Sequence, residues 1–362
     1  MNIPFLDLSK LDQKLKEKLK LRFAALLEEG VFSGGKEVQL LEGTFKSTLN
    51  SQFAIACANG TDALELAFRA LGIGPGDEVI VPALTWVSTA EAVVMVGAKP
   101  VFWDTDEEGL LRSDWVQAVN ATTKAVVPVH LYGQMADMKT LGEKARELGI
   151  FVIEDAAQAF GAKQNGKPAG TFSEVGCLSF YPTKNLGALG EAGMCLSQNK
   201  EIAEKIRLLG NHGQPIRDEH VLIGRNSRID TVQAAFLNVM LEDFQVHQGK
   251  RKKLAQIYLE GLAEISELKL PEKILSDNHN AHLFVIQTQF RDSLKEFLAS
   301  EGIGTAIHYP QILPDMDVFF QNGDFGTSRK ITREALSLPL NPWLSEEDVW
   351  FIVNRIRAFF RP

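Results

Sequence analysis

Cysteine is scarce: the 362-residue chain has three, Cys57, Cys177 and Cys195, and no C-x-x-C pair. Such an odd set excludes a disulfide framework and a zinc ribbon, and it fits a reducing, cytoplasmic setting. Long apolar runs are missing too, so no segment spans a bilayer. The opening MNIPFLDLSK places Asp7 inside what would be the apolar part of a signal peptide and offers no small-residue cleavage site, so export is not expected. Positive charge is in deficit, 38 Lys and Arg against 46 Asp and Glu for a net charge of -8. A nucleic-acid partner needs clustered cations and is therefore not expected. No H-E-x-x-H occurs, and the i, i+3 pair His279 and His282 has no further ligand placed to complete a metal site, so no metal is expected.

What remains is an ordinary globular composition, 45% hydrophobic and 23% charged, long enough for roughly two domains. Leu11, Leu15, Leu19, Phe23 and Leu26 recur at helical spacing and predict one amphipathic helix from Leu8 to about Glu29, with Gly30 as its stop. A second helix follows from Glu37 towards Leu49. The chain then alternates: AIACANG, DEVIVPA, KPVFWD, KAVVPVH and IFVIEDA read as strands, with helices at 61–71, 88–96, 115–119 and 138–148 between them. Continuously apolar strands separated by helices predict a mostly parallel sheet covered on both faces. CLSFY and GMCLS are too close together for an intervening helix, so the sheet is expected to be mixed. A long or broken helix from Asp230 to about Leu262 leads into a region with IQTQF as a strand and LKEFLAS as a helix. The expected division is a large α/β domain, residues 1–243, and a smaller C-terminal α+β domain, residues 244–362.

Three segments carry chemistry. In LSFYPTKNLGALGEAG, Lys184 follows a buried strand and sits in a turn between Pro182 and a glycine-rich stretch. It is either a solvated surface charge or a desolvated amine whose lowered pKa suits Schiff-base formation. In FVIEDAAQAFGA, Asp155 ends a central strand, the edge at which α/β folds place ligands. It either caps the turn that follows or holds a cationic ring nitrogen, and Gln158 stands three residues on. In CANGTDALELAFRAL, Gly60 and Thr61 open a helix straight after a strand, where free N–H groups and the helix dipole suit a phosphate; capping by Asn59 or Thr61 is the alternative. Trp86, after the next strand, reads as a core aromatic or as the cover of a flat ring. The G-x-G-x-G string GIGPGDEVIVP precedes its strand, the reverse of a dinucleotide fingerprint, and is read as a helix stop and turn.

Together, in this order, the segments resemble the DegT/DnrJ/EryC1/StrS sugar aminotransferases, which are fold-type I pyridoxal phosphate enzymes. IPFLDL, VFSGGKEVQLLE, NGTDALELA, GDEVIVPALTW, VVPVHLYGQMADM, IEDAAQAFGA, SFYPTKNLGALGEAG, GRNSRIDTVQAA, GIGTAIHYP and LPLNPWLSEEDV carry the resemblance across nearly the whole chain. It implies that Lys184 bonds the cofactor and that Asp155 pairs with its pyridine nitrogen. Gln158 would contact the ring hydroxyl, Trp86 would stack on the ring, and Gly60, Thr61 and Ser179 would hold the phosphate. Asn226 would reach the phosphate of a neighbouring subunit, which implies a homodimer with composite sites. Arg228, His308 and Tyr309 match segments near the substrate cleft. The implied activity is transfer of the amino group of L-glutamate to a nucleotide-linked keto-sugar, with pyridoxal 5'-phosphate as cofactor and pyridoxamine phosphate as its intermediate form. NLGALG and NSRID look more like the subgroup acting on a dTDP-3-keto-6-deoxyhexose than like the 4-keto subgroup. A sugar dehydratase of the same fold is the rival, but that branch replaces the lysine that Lys184 matches. The chain departs from the family after HYP, where it continues QILPDMDVFF, and at Asn341, where a tyrosine is frequent.

Overall fold

The computed structural model describes residues 2–361. A seven-stranded sheet organises most of the chain, in the order β1-β9-β8-β5-β4-β2-β3. Its strands are β1 (Phe53–Cys57), β2 (Glu78–Pro82), β3 (Lys99–Trp103), β4 (Thr123–Val126), β5 (Phe151–Asp155), β8 (Val175–Ser179) and β9 (Gly193–Ser197). The two-residue β6 (Lys163–Gln164) and β7 (Lys167–Pro168) form a separate hairpin. β9 runs antiparallel to both of its neighbours, and every other pair in the large sheet is parallel. β1, β2, β5 and β8 therefore all end at one edge.

Alternate residues of each strand face opposite sides, as the two-residue period requires. Ile55, Cys57, Val79, Val81, Ile153 and Cys177 enter one core, against α3 (Gly60–Ala70), α4 (Ser88–Met95) and α6 (Lys200–Gly210). Ala54, Ala56, Ile80, Val152, Leu178 and Met194 enter the other, against α1 (Gln13–Glu29), α2 (Gly35–Leu49), α5 (Met138–Leu148) and α7 (Thr231–Glu242). Burying a Leu, Ile or Phe side chain contributes about 1.5–3 kcal/mol, so two filled cores hold the sheet edge rigid.

A third core lies beyond α7. It joins α8 (Phe244–Leu262), β10 (Phe284–Gln287), α9 (Arg291–Ser300), β11 (Ala335–Leu338) and α11 (Glu346–Phe360), and it also takes in Ile3. Asp243 separates α7 from α8 with a non-helical φ of -104° and ψ of 6°, and there we propose to divide the two domains. α10 (Gly326–Glu334) packs back towards the large sheet through Ile331.

The opening helix is shorter than its periodicity predicts. Asp7 accepts from the Ser9 N–H at 2.9 Å and caps a single 3-10 turn, Leu8–Lys10; the α-helix restarts at Gln13. Among the described residues no helix is long and apolar enough to cross a membrane.

Candidate active site

The shared sheet edge gathers the predicted residues. Two residues separate the end of β1 from the start of α3, and the second, Asn59, caps the helix by accepting from the Asp62 N–H at 2.8 Å. Helical geometry leaves the Gly60 and Thr61 N–H groups without an intrahelical acceptor. The Thr61 hydroxyl donates to Ser88 Oγ at 2.7 Å, which ties α3 to the start of α4. Glycine is required at 60: a Cβ there would sit 2.7 Å from Ser179 Cβ and 3.1 Å from Ser179 Oγ. Two free N–H groups, of Gly60 and Thr61, thus lie close to the Ser179 hydroxyl, groups of the kind that suit a phosphate. The capping role foreseen for Asn59 coexists with this arrangement.

Asp155 is buried at the end of β5. Its Oδ2 accepts from Thr89 Oγ1 at 2.8 Å and its Oδ1 from the Ala157 N–H at 3.2 Å. Thr89 is held in turn by Thr85, hydroxyl to hydroxyl at 3.0 Å. Both donors to the carboxylate are neutral, and among the described residues no cation lies in ion-pair contact with it. A buried carboxylate left this way is costly until a cation arrives.

Lys184 extends from the turn after β8, its backbone N–H donating to Tyr181 O at 2.8 Å. Burial lowers its pKa to about 8, and the Asp155 charge opposes that shift. Lys184 is half-buried, which with the lowered pKa favours the desolvated reading over that of a surface charge.

Gln158 bridges two tyrosines: its Oε1 accepts from the Tyr132 N–H at 2.6 Å and its Nε2 donates to Tyr309 Oη at 2.7 Å. Trp86 is 57% exposed and so is not a core residue. Its ring lies 5.6 Å from that of Tyr309, tilted by 40°, leaving a face free to cover a planar ligand. His308 donates or accepts at Ser337 Oγ, 2.8 Å from its Nδ1, and its carbonyl accepts from Tyr132 Oη. Burial, then the Lys184 charge, lowers the His308 pKa to about 4, so the ring is neutral near pH 7. Burial raises the Tyr309 pKa.

Two predicted residues stand apart. Asn226 and Arg228 are exposed and bond each other, Arg228 Nε to Asn226 Oδ1 at 3.1 Å, while Arg228 also donates to Asn211 Oδ1 at 3.0 Å. They line a cavity of about 290 Å³ with Asn59 and Glu191, beside the N-terminus of α3. Nothing in this chain's own contacts brings them to Lys184.

Sequence reasoning overlooked Thr89, Ser88, Tyr132 and Asn185. Thr89 and Ser88 lay within VPALTWVSTAEA, where a serine–threonine pair at a helix start reads only as capping. The i, i+3 histidines are buried and neutral, their pKa values lowered first by burial. Among the described residues no group of three or more His, Cys, Asp or Glu is placed to hold a metal ion.

Residues 13–357 match the profile of the DegT/DnrJ/EryC1/StrS aminotransferase family. A Geobacillus stearothermophilus protein described as a pleiotropic regulatory protein is 40% identical over 370 residues, covering 100% of this chain and 99% of its own. The UDP-N-acetyl-3-dehydro-alpha-D-glucosamine 3-aminotransferase of Acidithiobacillus ferrooxidans is 39% identical over 359 residues, covering 98% and 97%. The crystal structure of Streptomyces venezuelae DesV in complex with a ketimine intermediate superposes with a TM-score of 0.96 at 36% identity, covering 100% of this chain and 99% of that one.

Proposed function

The chain belongs to the DegT/DnrJ/EryC1/StrS aminotransferase family, and from that premise we propose that it moves the amino group of L-glutamate to a nucleotide-linked 3-keto sugar, using pyridoxal 5'-phosphate. The observation that carries this reading is the buried Asp155 carboxylate, supplied only with neutral donors by Thr89 and Ala157, within Coulombic reach of a desolvated Lys184.

The residues present fit the cofactor. A protonated pyridine nitrogen is the cation that Asp155 lacks, and the free N–H groups of Gly60 and Thr61 beside Ser179 suit a phosphate. Lys184 would hold the cofactor covalently, Gln158 would meet the ring hydroxyl and Trp86 would lie over the ring. When bound, pyridoxal phosphate supplies an aldehyde that accepts an amino group and a ring that withdraws electrons from the adjoining carbon.

The chain's own groups do the rest. With a pKa of about 8, Lys184 Nζ is unprotonated about a tenth of the time at pH 7, far more often than an ordinary lysine with a pKa near ~10.4, as a nucleophile and then a proton carrier requires. Freed from the cofactor, Lys184 Nζ would serve as the general base and then the general acid of the site, taking a proton from the donor α-carbon and returning it to the carbon on the far side of the transferred nitrogen, the 1,3-shift that transamination requires. Thr89 keeps the Asp155 carboxylate aimed throughout. His308 and Tyr309, both neutral, supply polar contacts to the sugar. Asn226 and Arg228, which make no contact with Lys184 in their own chain, would serve the site of a second copy in a homodimer.

We favour a dTDP-3-keto-6-deoxyhexose as acceptor, on NLGALG and NSRID. A UDP-linked 3-keto sugar is the second reading, favoured by the name of the Acidithiobacillus relative. Incubation with L-glutamate and each sugar, followed by mass spectrometry of the products, tests both. The account predicts a dTDP-3-amino sugar and stoichiometric 2-oxoglutarate. An amino sugar formed only from a 4-keto substrate, or loss of water without amination, would count against it.

A further inference from the structure

Asn185, next to the lysine, is tied down at both ends of its side-chain amide. Its Nδ2 donates to Asn280 O at 2.8 Å and to Gln248 Oε1 at 3.1 Å. Gln248 in α8 is oriented by its own Nε2, which donates to the same Asn280 carbonyl. With the Asn185 nitrogen committed to two oxygen acceptors, the other end is an acceptor. The 2.9 Å contact between His282 Nδ1 and Asn185 Oδ1 then requires a proton on Nδ1. The neutral ring is the Nδ1–H tautomer, and Nε2 carries a lone pair.

Burial opposes a second proton on this ring, and the cations that face it add to that opposition. Lys184 bears on it from the turn after β8 and Arg251 from α8, where Arg251 also donates to His282 O at 3.3 Å. His308, from the segment before the turn Leu313–Asp315, and His279, from its own segment, also face the ring, and both are neutral near pH 7. No carboxylate among the described residues pairs with the ring.

The segment is fixed on its other side as well. Asn280 Nδ2 donates to Gln158 O at 2.8 Å and to Phe160 O at 3.0 Å, and its Oδ1 accepts from the His282 N–H at 3.0 Å. The Asn280 N–H donates to Gly133 O at 3.0 Å, and a Cβ on Gly133 would fall 1.9 Å from Asn280 Oδ1. One short segment from the C-terminal part of the chain therefore grips both the lysine turn and the Gln158 turn.

We propose that His282 is a positioning residue for Lys184: through Asn185 it fixes the turn from which the lysine reaches the cofactor, and it does so as a neutral Nδ1–H imidazole. The proposal rests on Lys184 being the cofactor lysine.

The first test is nitrogen NMR of the ¹⁵N-histidine-labelled holoenzyme, with the His282 signals identified by their loss in His282→Asn. The expected result is a protonated Nδ1, an unprotonated Nε2 and no titration above about pH 6; an Nε2–H tautomer or an imidazolium overturns the proposal. The second test follows the absorbance of the bound cofactor against pH in wild type, His282→Asn and His282→Phe. Asparagine keeps an N–H donor near the place of Nδ1, whereas phenylalanine keeps a ring without one. His282→Phe should move the titration midpoint by about one pH unit and lower kcat about tenfold at little-changed KM, and His282→Asn should restore most of both. A His282→Phe protein that titrates like wild type, or a His282→Asn protein as impaired as His282→Phe, overturns it. A wild-type chain that takes up no cofactor overturns the functional reading instead, and the NMR result still decides whether the lock exists.

Discussion

Thr89 Oγ1 lies 2.8 Å from Asp155 Oδ2, a fully buried hydroxyl in the first turn of α4 donating to a carboxylate at the end of β5. It is the stronger of the two hydrogen bonds that aim Asp155, the other being the 3.2 Å contact from the Ala157 N–H. A hydrogen bond to a charged group contributes about 1.5–3 kcal/mol. Thr89→Val preserves the shape of the side chain while removing the donor. Cofactor affinity should fall about tenfold, read by fluorescence titration of the cofactor-free protein; unchanged affinity would mean that Asp155 does not depend on Thr89.

Gly60→Ala places a methyl group 2.7 Å from Ser179 Cβ. Overpacking of this kind costs about 1–3 kcal/mol, and here it also closes the proposed phosphate cradle. The variant should lose cofactor on gel filtration under conditions where wild type retains it. Adding Ser179→Gly removes the clashing atoms and should recover fold stability in a thermal melt ahead of cofactor retention.

The lowered pKa of Lys184 has a sign that can be checked. Burial disfavours its charged form, so between about pH 8 and the ordinary lysine value near ~10.4 the unfolded chain binds more protons than the folded one. The contribution of this group to stability therefore rises with pH across that window, and its burial cost is fully present below it. Lys184→Met in the cofactor-free protein should raise Tm at about pH 7, by an amount that shrinks towards about pH 10. An equal difference at both pH values would argue against a buried charge.

Much of this arrangement was legible in the chain itself. The α/β alternation from AIACANG to IFVIEDA followed from apolar runs and helical spacing, and the helix at 138–148 matches α5 residue for residue. Asp155 and Gly60 stood out because one ends a strand and the other begins a helix, and Lys184 because it sits in a Pro- and Gly-flanked turn shortly after a strand, positions that the local pattern marks. α6, α10 and α11 were not foreseen, although the apolar spacing of KEIAEKIRLLG in α6 is as helical as that of α5. Thr89, Tyr132, Asn185 and Asn280 join the site through contacts distant in sequence. Asn280, for example, bonds Gln158 and Phe160 more than a hundred residues earlier, and no local spacing encodes that.

A composite site makes a prediction about mixtures. If Lys184 of one copy works with Asn226 of the other, a heterodimer of Lys184→Ala and Asn226→Ala chains holds one intact site and one doubly altered site. Random reassociation of the two variants, each largely inactive alone, should restore about a quarter of wild-type activity. No recovery in a mixture shown to contain heterodimers would place both residues in the service of a single chain.

The central claim, that Lys184 forms the covalent bond to the cofactor, is tested most directly by borohydride reduction of the cofactor-loaded protein followed by peptide mass spectrometry. The account predicts one stable phosphopyridoxyl adduct, on the peptide containing Lys184, abolished by prior addition of L-glutamate and absent from Lys184→Ala. An adduct at another lysine, or none in protein that has taken up the cofactor, would contradict it.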